Sequence, residues 1–148
     1  MLTFQTEDFR SLIDDASPLT ERHWEEIGCY KDRWKINPDW NQYAILYQMD
    51  KIRAYTARRD GKLVGYSIFV IANHAHYKDM VFAKNDLTYL VPEERKGSAG
   101  YKLLKYAIGE LDSIVPRIIF NVKVHKDFSK VLERLGFEPF EIIMDRVK

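Results

Sequence analysis

Residues 86–104 read Asp86-Leu-Thr-Tyr-Leu-Val-Pro-Glu-Glu-Arg-Lys-Gly-Ser-Ala-Gly-Tyr-Lys-Leu-Leu104. An apolar run from Asp86 to Val91 meets Pro92, and a loop with a basic start and two glycines follows. The spacing then predicts a helix over Ser98 to Leu111, with Leu103, Leu104, Ala107, Ile108 and Leu111 on one apolar stripe. A strand feeding such a turn gathers unpaired backbone N–H groups at the positive end of a helix dipole. A phosphate or pyrophosphate finds its donors there. Many glycine-containing loops are only turns, so the order of the surrounding elements decides the reading.

Upstream, Ile52 to Arg58 and Leu63 to Ile71 read as two strands joined by a hairpin turn at Asp60-Gly61. Ala72 to Lys84 reads as a loop holding Asn73-His-Ala-His-Tyr77. Nearer the start, Leu2 to Gln5 is a short strand, and Thr6 or Asp8 caps a helix through about Asp14. Pro18 opens a second helix from Leu19 to Ile27, and Asn37-Pro-Asp39 caps a third from Trp40 to about Asp50. Downstream, Ile118 to Val124 is a strand, and Phe128, Val131, Leu132 and Leu135 form a helical stripe stopped by Gly136. Phe140 to Val147 is the last strand. The expected fold is α/β, an α+β mixed sheet: one domain over residues 1–148 with a central twisted sheet flanked by helices.

With 23 basic and 22 acidic residues interspersed, the net charge is +1, so neither nucleic acid nor a membrane surface is an expected partner. The single Cys29 forbids an internal disulfide and fits a reducing compartment. The first residues carry no basic-then-apolar signal pattern, and no apolar run is long enough to span a bilayer, so the expected location is the cytoplasm. Ligand-spaced clusters of Cys, His and carboxylate are missing, and no metal is expected.

In this order of elements the chain resembles the GNAT superfamily of N-acetyltransferases, whose pyrophosphate loop reads Arg/Gln-x-x-Gly-x-Gly/Ala after a strand ending near Val-x-Pro. Arg95 stands at the first position and Gly100 at the second glycine, while Ser98 replaces the first glycine with Gly97 beside it. Leu132-Glu-Arg-Leu-Gly-Phe-Glu138 is similar to the family's Leu-Tyr-x-x-x-Gly-Phe. Asn37-Pro-Asp-Trp40, Asn73-His-Ala-His-Tyr77 and His125 to Phe137 resemble a branch found among phage and prophage acetyltransferases.

The resemblance implies a GNAT-like fold and transfer of an acetyl group from acetyl-CoA to a primary amine, on a small molecule or a protein. The attack would be direct, in a ternary complex. It implies that the pyrophosphate of coenzyme A lies on Arg95, Lys96, Gly97, Ser98, Ala99, Gly100 and Tyr101, with Lys126 or Lys130 near the 3′-phosphate. The pantetheine arm would run along Tyr89, Leu90 and Val91, as an added strand does, with amides near Leu90 and Val91 holding the oxyanion.

His74 and His76 are two apart and share one face of an extended segment. They line the acceptor pocket, one of them as general base, or they hydrogen-bond locally. Asp86 relays a proton from the amine or caps the Lys84-Asn85 turn, and His23 sits on the acceptor side or on a helix surface. The family's acidic Tyr aligns with Leu132, which leaves Tyr101, Tyr77 or water to protonate the departing thiolate. A coenzyme A-binding module with weak or no turnover is therefore the alternative. Only one strand, Phe140 to Val147, follows Gly136-Phe137 where the family has two, and its unpaired apolar edge predicts a homodimer.

Overall fold

The computed structural model describes residues 1–148. In chain order the elements are β1 (Leu2–Glu7), α1 (Phe9–Ile27), α2 (Trp40–Gln48), β2 (Ile52–Arg59), β3 (Lys62–His74), β4 (Tyr77–Leu90), α3 (Ala99–Asp112), β5 (Ile118–Ile119) and α4 (Ser129–Glu133). The five strands form one sheet in the order β1-β2-β3-β4-β5, antiparallel except for the parallel pair β4–β5. Alternation along β2 sends Ala54 to the face packed by Phe9, Leu12 and Ala16 of α1, and Tyr55 to the face packed by Ala107 and Leu111 of α3. The sheet is thus mixed and covered on both faces, as expected. No helix is long and apolar enough to cross a membrane.

Asp8 caps α1, its carboxylate accepting from the amides of Arg10 and Ser11 at 2.9 and 3.3 Å. The two expected early helices are one, because Pro18 lies inside α1 and does not break it. Leu12, Ala16, Leu19 and His23 keep a single buried stripe on either side of the proline. Burying that stripe outweighs a proline cost of about 3 kcal/mol. Asp60 and Gly61 both have positive φ, at 50° and 84°, as a tight two-residue hairpin requires.

Three expectations fail around the sheet, the first being the strand Ile118 to Val124, which is reduced to Ile118–Ile119 as the chain leaves β4. Ala72 to Lys84 is no loop but the outer part of the β3–β4 ribbon, with Ile71 opposite Ala83 and Asn73 opposite Val81. That end of the ribbon is largely open to solvent, so its polar residues carry no apolar alternation by which to recognise strands. The expected last strand, Phe140 to Val147, is irregular, since β5 offers only Ile118 and Ile119 to the sheet. The segment is tied instead by Tyr30 donating to Asp145 at 3.1 Å, Arg33 donating to the Lys148 carbonyl at 2.6 Å, and Arg117 lying 4.6 Å over the Phe140 ring. Phe140, Ile142, Ile143 and Met144 remain exposed.

The feature that positions the site is a bulge in β4. Ile68 pairs with Leu87 and Phe69 with Asn85, so Asp86 is the extra residue. The buried Asn85 side chain fills the bulge. Its amide nitrogen lies 3.2 Å from the Ile68 carbonyl, 3.3 Å from the Leu87 carbonyl and 2.9 Å from the Thr88 hydroxyl. Replacing Asn85 by Ala leaves these acceptors without their donor, and a loss of about 2 kcal/mol is expected. Urea unfolding checks it: the midpoint falls, and an unchanged midpoint would mean the backbone alone holds the bulge.

Candidate functional site

Beyond Ala83 and Lys84, which pair with Ile118 and Ile119, β4 and β5 part. A cleft of about 1050 Å³ opens between them. Its walls are Asp86–Leu90 of β4, the loop and first turn of α3, the end of α1 at His23, Glu26 and Ile27, and the stretch from Asn121 to Phe128. Val91 donates its amide to the Val64 carbonyl at 2.9 Å. Antiparallel alternation therefore aims the amides of Thr88 and Leu90 away from β3 and toward the cleft. Val91, expected as a second oxyanion donor, is corrected on this point because β3 already engages its amide.

At the other end of this open edge stands the start of α3. Gly97 has φ +84°, the left-handed conformation that favours glycine, and it turns the chain into the helix. Ser98 makes no side-chain capping bond, and the first helical bond runs from Lys102 N to the Ser98 carbonyl at 2.9 Å. The amides of Ser98, Ala99, Gly100 and Tyr101 thus lie outside the helical ladder, at the positive end of the dipole. A Cβ built on Gly100 meets only the Leu90 Cδ2 at 3.8 Å, so protein packing does not demand glycine there. Its missing side chain leaves the floor in front of those amides open.

Arg95 departs from its expected role as a phosphate ligand. Its guanidinium pairs bidentately with Glu26, 2.7 Å at the Nη2–Oε2 contact, and its Nε donates to the Leu90 carbonyl at 2.8 Å. The residue is a strut between α1 and β4, and it holds the Glu26 carboxyl below the usual carboxylate range. Lys126 reaches within 3.9 Å of Glu26 and lines the cleft with Lys123 and Arg134. Lys96 is exposed and lies outside the cleft wall, as does Lys130. Tyr101 lines the cleft with the Arg134 guanidinium 5.1 Å over its ring. Tyr89 is buried in the wall.

Asp86 sits in the cleft at the bulge and accepts a 2.6 Å hydrogen bond from the Tyr43 hydroxyl. Burial and that carboxylate push the Tyr43 hydroxyl pKa up. The turn that Asp86 might have capped does not exist, because Lys84 and Asn85 are strand residues. His74 and His76 are not in the cleft. They occupy the tip of the β3–β4 ribbon, where the His76 amide donates to His74 Nδ1 at 3.0 Å. From Tyr77 to Leu90 the strand runs roughly 40 Å at ~3.3 Å per residue. The local reading of these histidines therefore replaces the catalytic one, and Tyr77 beside them is excluded as the thiolate's acid for the same reason.

His23, expected on a helix surface or the acceptor side, is 5% exposed and lines the cleft. Its Nδ1 lies 3.1 Å from the Tyr66 hydroxyl and its ring stacks on Tyr89 at 4.8 Å. The spacing Leu12, Ala16, Leu19, His23 was the available signal, since it puts His23 on the buried stripe. Glu26, three residues on, follows from the same count. Leu132, where the family carries its acidic Tyr, is buried and offers no proton.

Burial pushes the His23 pKa down to about 4. Against an ordinary value of ~6.5, the unfolded chain binds more protons than the folded one between pH 6.5 and 4. This stabilisation is complete above pH 6.5 and is lost as pH falls through that window, by up to roughly 3 kcal/mol. Urea unfolding across the window reads the slope, and His23→Gln is expected to flatten it.

No protein-family model and no curated protein matches the chain by sequence. Solved structures match its fold. A ribosomal-protein-alanine N-acetyltransferase from Brucella melitensis biovar Abortus 2308 superposes with a TM-score of 0.71 over 100% of both chains, at 18% identity. A predicted acetyltransferase with acetyl-CoA from Clostridium acetobutylicum gives a TM-score of 0.72 at 11% identity, covering 99% of this chain and 96% of its own. An aminoglycoside acetyltransferase, meta-AAC0020 from an uncultured soil metagenomic sample, in complex with sisomicin, gives a TM-score of 0.73 at 13% identity, again over 99% and 96%. The cleft between the parting strands is thus set in a chain that has the fold of the GNAT acetyltransferases.

Proposed function

We propose that the chain is an acetyl-CoA-dependent N-acetyltransferase acting on a primary amine by direct attack in a ternary complex. The observation that carries this reading is the open edge of β4 running to the uncapped start of α3 within one cleft. An extended pantetheine arm suits the outward amides of Thr88 and Leu90, and a pyrophosphate suits the four free amides from Ser98 to Tyr101. Lys123 and Lys126 supply positive charge on the facing wall. In this reading the outward Leu90 amide would hold the oxyanion that forms as the amine nitrogen bonds to the thioester carbonyl carbon. The C–S bond then breaks. Asp86, directly or through water, takes the proton from the amine, and Tyr101 or water returns one to the thiolate. His23, uncharged at neutral pH, serves as wall rather than as base.

A second reading, a coenzyme A-binding module with little turnover, draws on one observation: Leu132 is buried where the family has its acidic Tyr. Calorimetry and thiol release separate the two. Gly100→Glu is expected to cut acetyl-CoA affinity at least 100-fold by placing a carboxylate at the phosphate site, while Gly100→Ala stays within a few-fold. Asp86→Asn is expected to lower turnover 10- to 100-fold with coenzyme A affinity unchanged. Binding without thiol release on any amine would favour the second reading.

The exposed Phe140, Ile142, Ile143 and Met144 support a homodimer. In a two-fold antiparallel pairing of this segment, Ile143 would face Met144 and Glu141 would face Arg146 of the second copy. Sedimentation at micromolar concentration is expected to give twice the 17.5 kDa chain mass. A single-chain mass would leave these residues to solvent. The exposed thiol of Cys29 suits a reducing, cytoplasmic setting.

A further inference from the structure

Beside the cleft lies a second cavity of about 550 Å³, between α1, α2 and the face of β3 and β4. The two share Thr20, Ile36, Asp86 and Leu87, so they adjoin along these residues. The aromatic rings of Phe9, Trp40, Tyr43 and Tyr66 and the side chains of Leu12 and Leu46 dominate its wall. Phe9 stacks on Tyr43 at 5.3 Å, and Trp40 tilts against Tyr43 at 5.9 Å. The wall contains no Lys, Arg or His, and only two carboxylates, Asp39 and Asp86. Asp39 caps α2 by accepting from the Gln42 amide at 3.0 Å. Asp86 stands where cavity and cleft adjoin, one of its oxygens accepting from the Tyr43 hydroxyl at 2.6 Å.

We infer that this cavity takes the body of the acceptor, and that the acceptor is a monoamine with a compact aromatic group, an arylalkylamine in chemical class. The inference rests on the acetyltransferase reading and adds to it the class of amine. Its volume lies in the range of small-ligand sites. An apolar wall with one carboxylate at its border with the cleft matches a ligand with one cation and a hydrophobic body. The ammonium sits at Asp86, where the cavity meets the cleft, and the rings receive the body. A polyamine or aminoglycoside would leave several ammonium groups among apolar side chains without counter-charges, which is costly. The anionic ends of coenzyme A are repelled from the same wall, so the two substrates sort themselves into the two cavities.

Calorimetric titration of 2-phenylethylamine, ethylamine and spermidine, with and without saturating coenzyme A, tests the inference. The expected result is 2-phenylethylamine binding at least ten-fold tighter than either of the others. Trp40→Ala and Asp86→Asn each should weaken it five-fold or more, without changing coenzyme A affinity. Trp40 is 41% exposed, so its replacement spares the core. Equal or weaker binding of 2-phenylethylamine, or binding indifferent to both variants, overturns the inference. Thiol release with the same amines keeps the two readings apart. Turnover on spermidine alone would leave the acetyltransferase standing and sink the arylalkylamine. Failure of coenzyme A itself to bind would sink the acetyltransferase, while the amine titration on the free protein would still decide what the cavity holds.

Discussion

The cleft exists because β4 carries one residue too many. Asp86 has no opposite number on β3, and the Asn85 side chain fills the gap by reaching the Ile68 and Leu87 carbonyls. A bulge bends its strand and raises the local twist. Here it lies just past the last pair that β4 makes with β5, so the two strands diverge and leave the far edge of β4 unpaired. An unpaired edge is ordinarily a liability for aggregation. In this chain it is recessed between α1 and the stretch after β5, where another protein strand has little access and a thin extended ligand has more.

Electrostatics then distributes the work along that recess. Arg95 and Glu26 pair and brace α1 against β4, with Lys126 3.9 Å from the same carboxylate, so three cations in the cleft wall, Lys123, Lys126 and Arg134, outweigh what Glu26 offsets. His23 is kept uncharged by burial between Tyr66 and Tyr89. Of the other acids in the cleft wall, Glu26 is paired with Arg95 and Asp127 accepts from the Ser129 amide, whereas Asp86 stands at the bulge itself, beside the aromatic cavity. On the proposed reading, the bulge lies between the half of the cleft that takes the anionic cosubstrate and the cavity that takes the cationic amine.

Much of this was legible from residues close together in the chain. Asp60-Gly61 marked its hairpin because two positive φ angles select those residues. Leu103, Leu104, Ala107, Ile108 and Leu111 marked α3, and all but the half-buried Ile108 are buried. The turn before α3 was readable too, with Gly97 at its left-handed position. These signals are local: a φ preference or a helical period is written within a few residues of where it acts.

What tertiary structure decided is everything that depends on a partner distant in sequence. Local propensity pointed to a helix break at Pro18, but burial of one stripe against the sheet carries α1 through it. The polar stretch from Ala72 to Lys84 is strand only because its two halves pair with each other. Phe140 to Val147 reads as a strand and is none, because β5, with only Ile118 and Ile119, offers it too little edge to join. His74 and His76 were neighbours of the right type, yet pairing carries them to the remote tip of the ribbon. His23, Glu26, Tyr43 and Asp86 come together from three separate stretches. Sequence alone determined the buried face of α3, the Asp60-Gly61 turn and the glycine turn before α3, because each is a short-range property of the backbone. Which charges face which cavity required the fold, because hydrogen-bond pairing and burial are set by residues tens of positions apart.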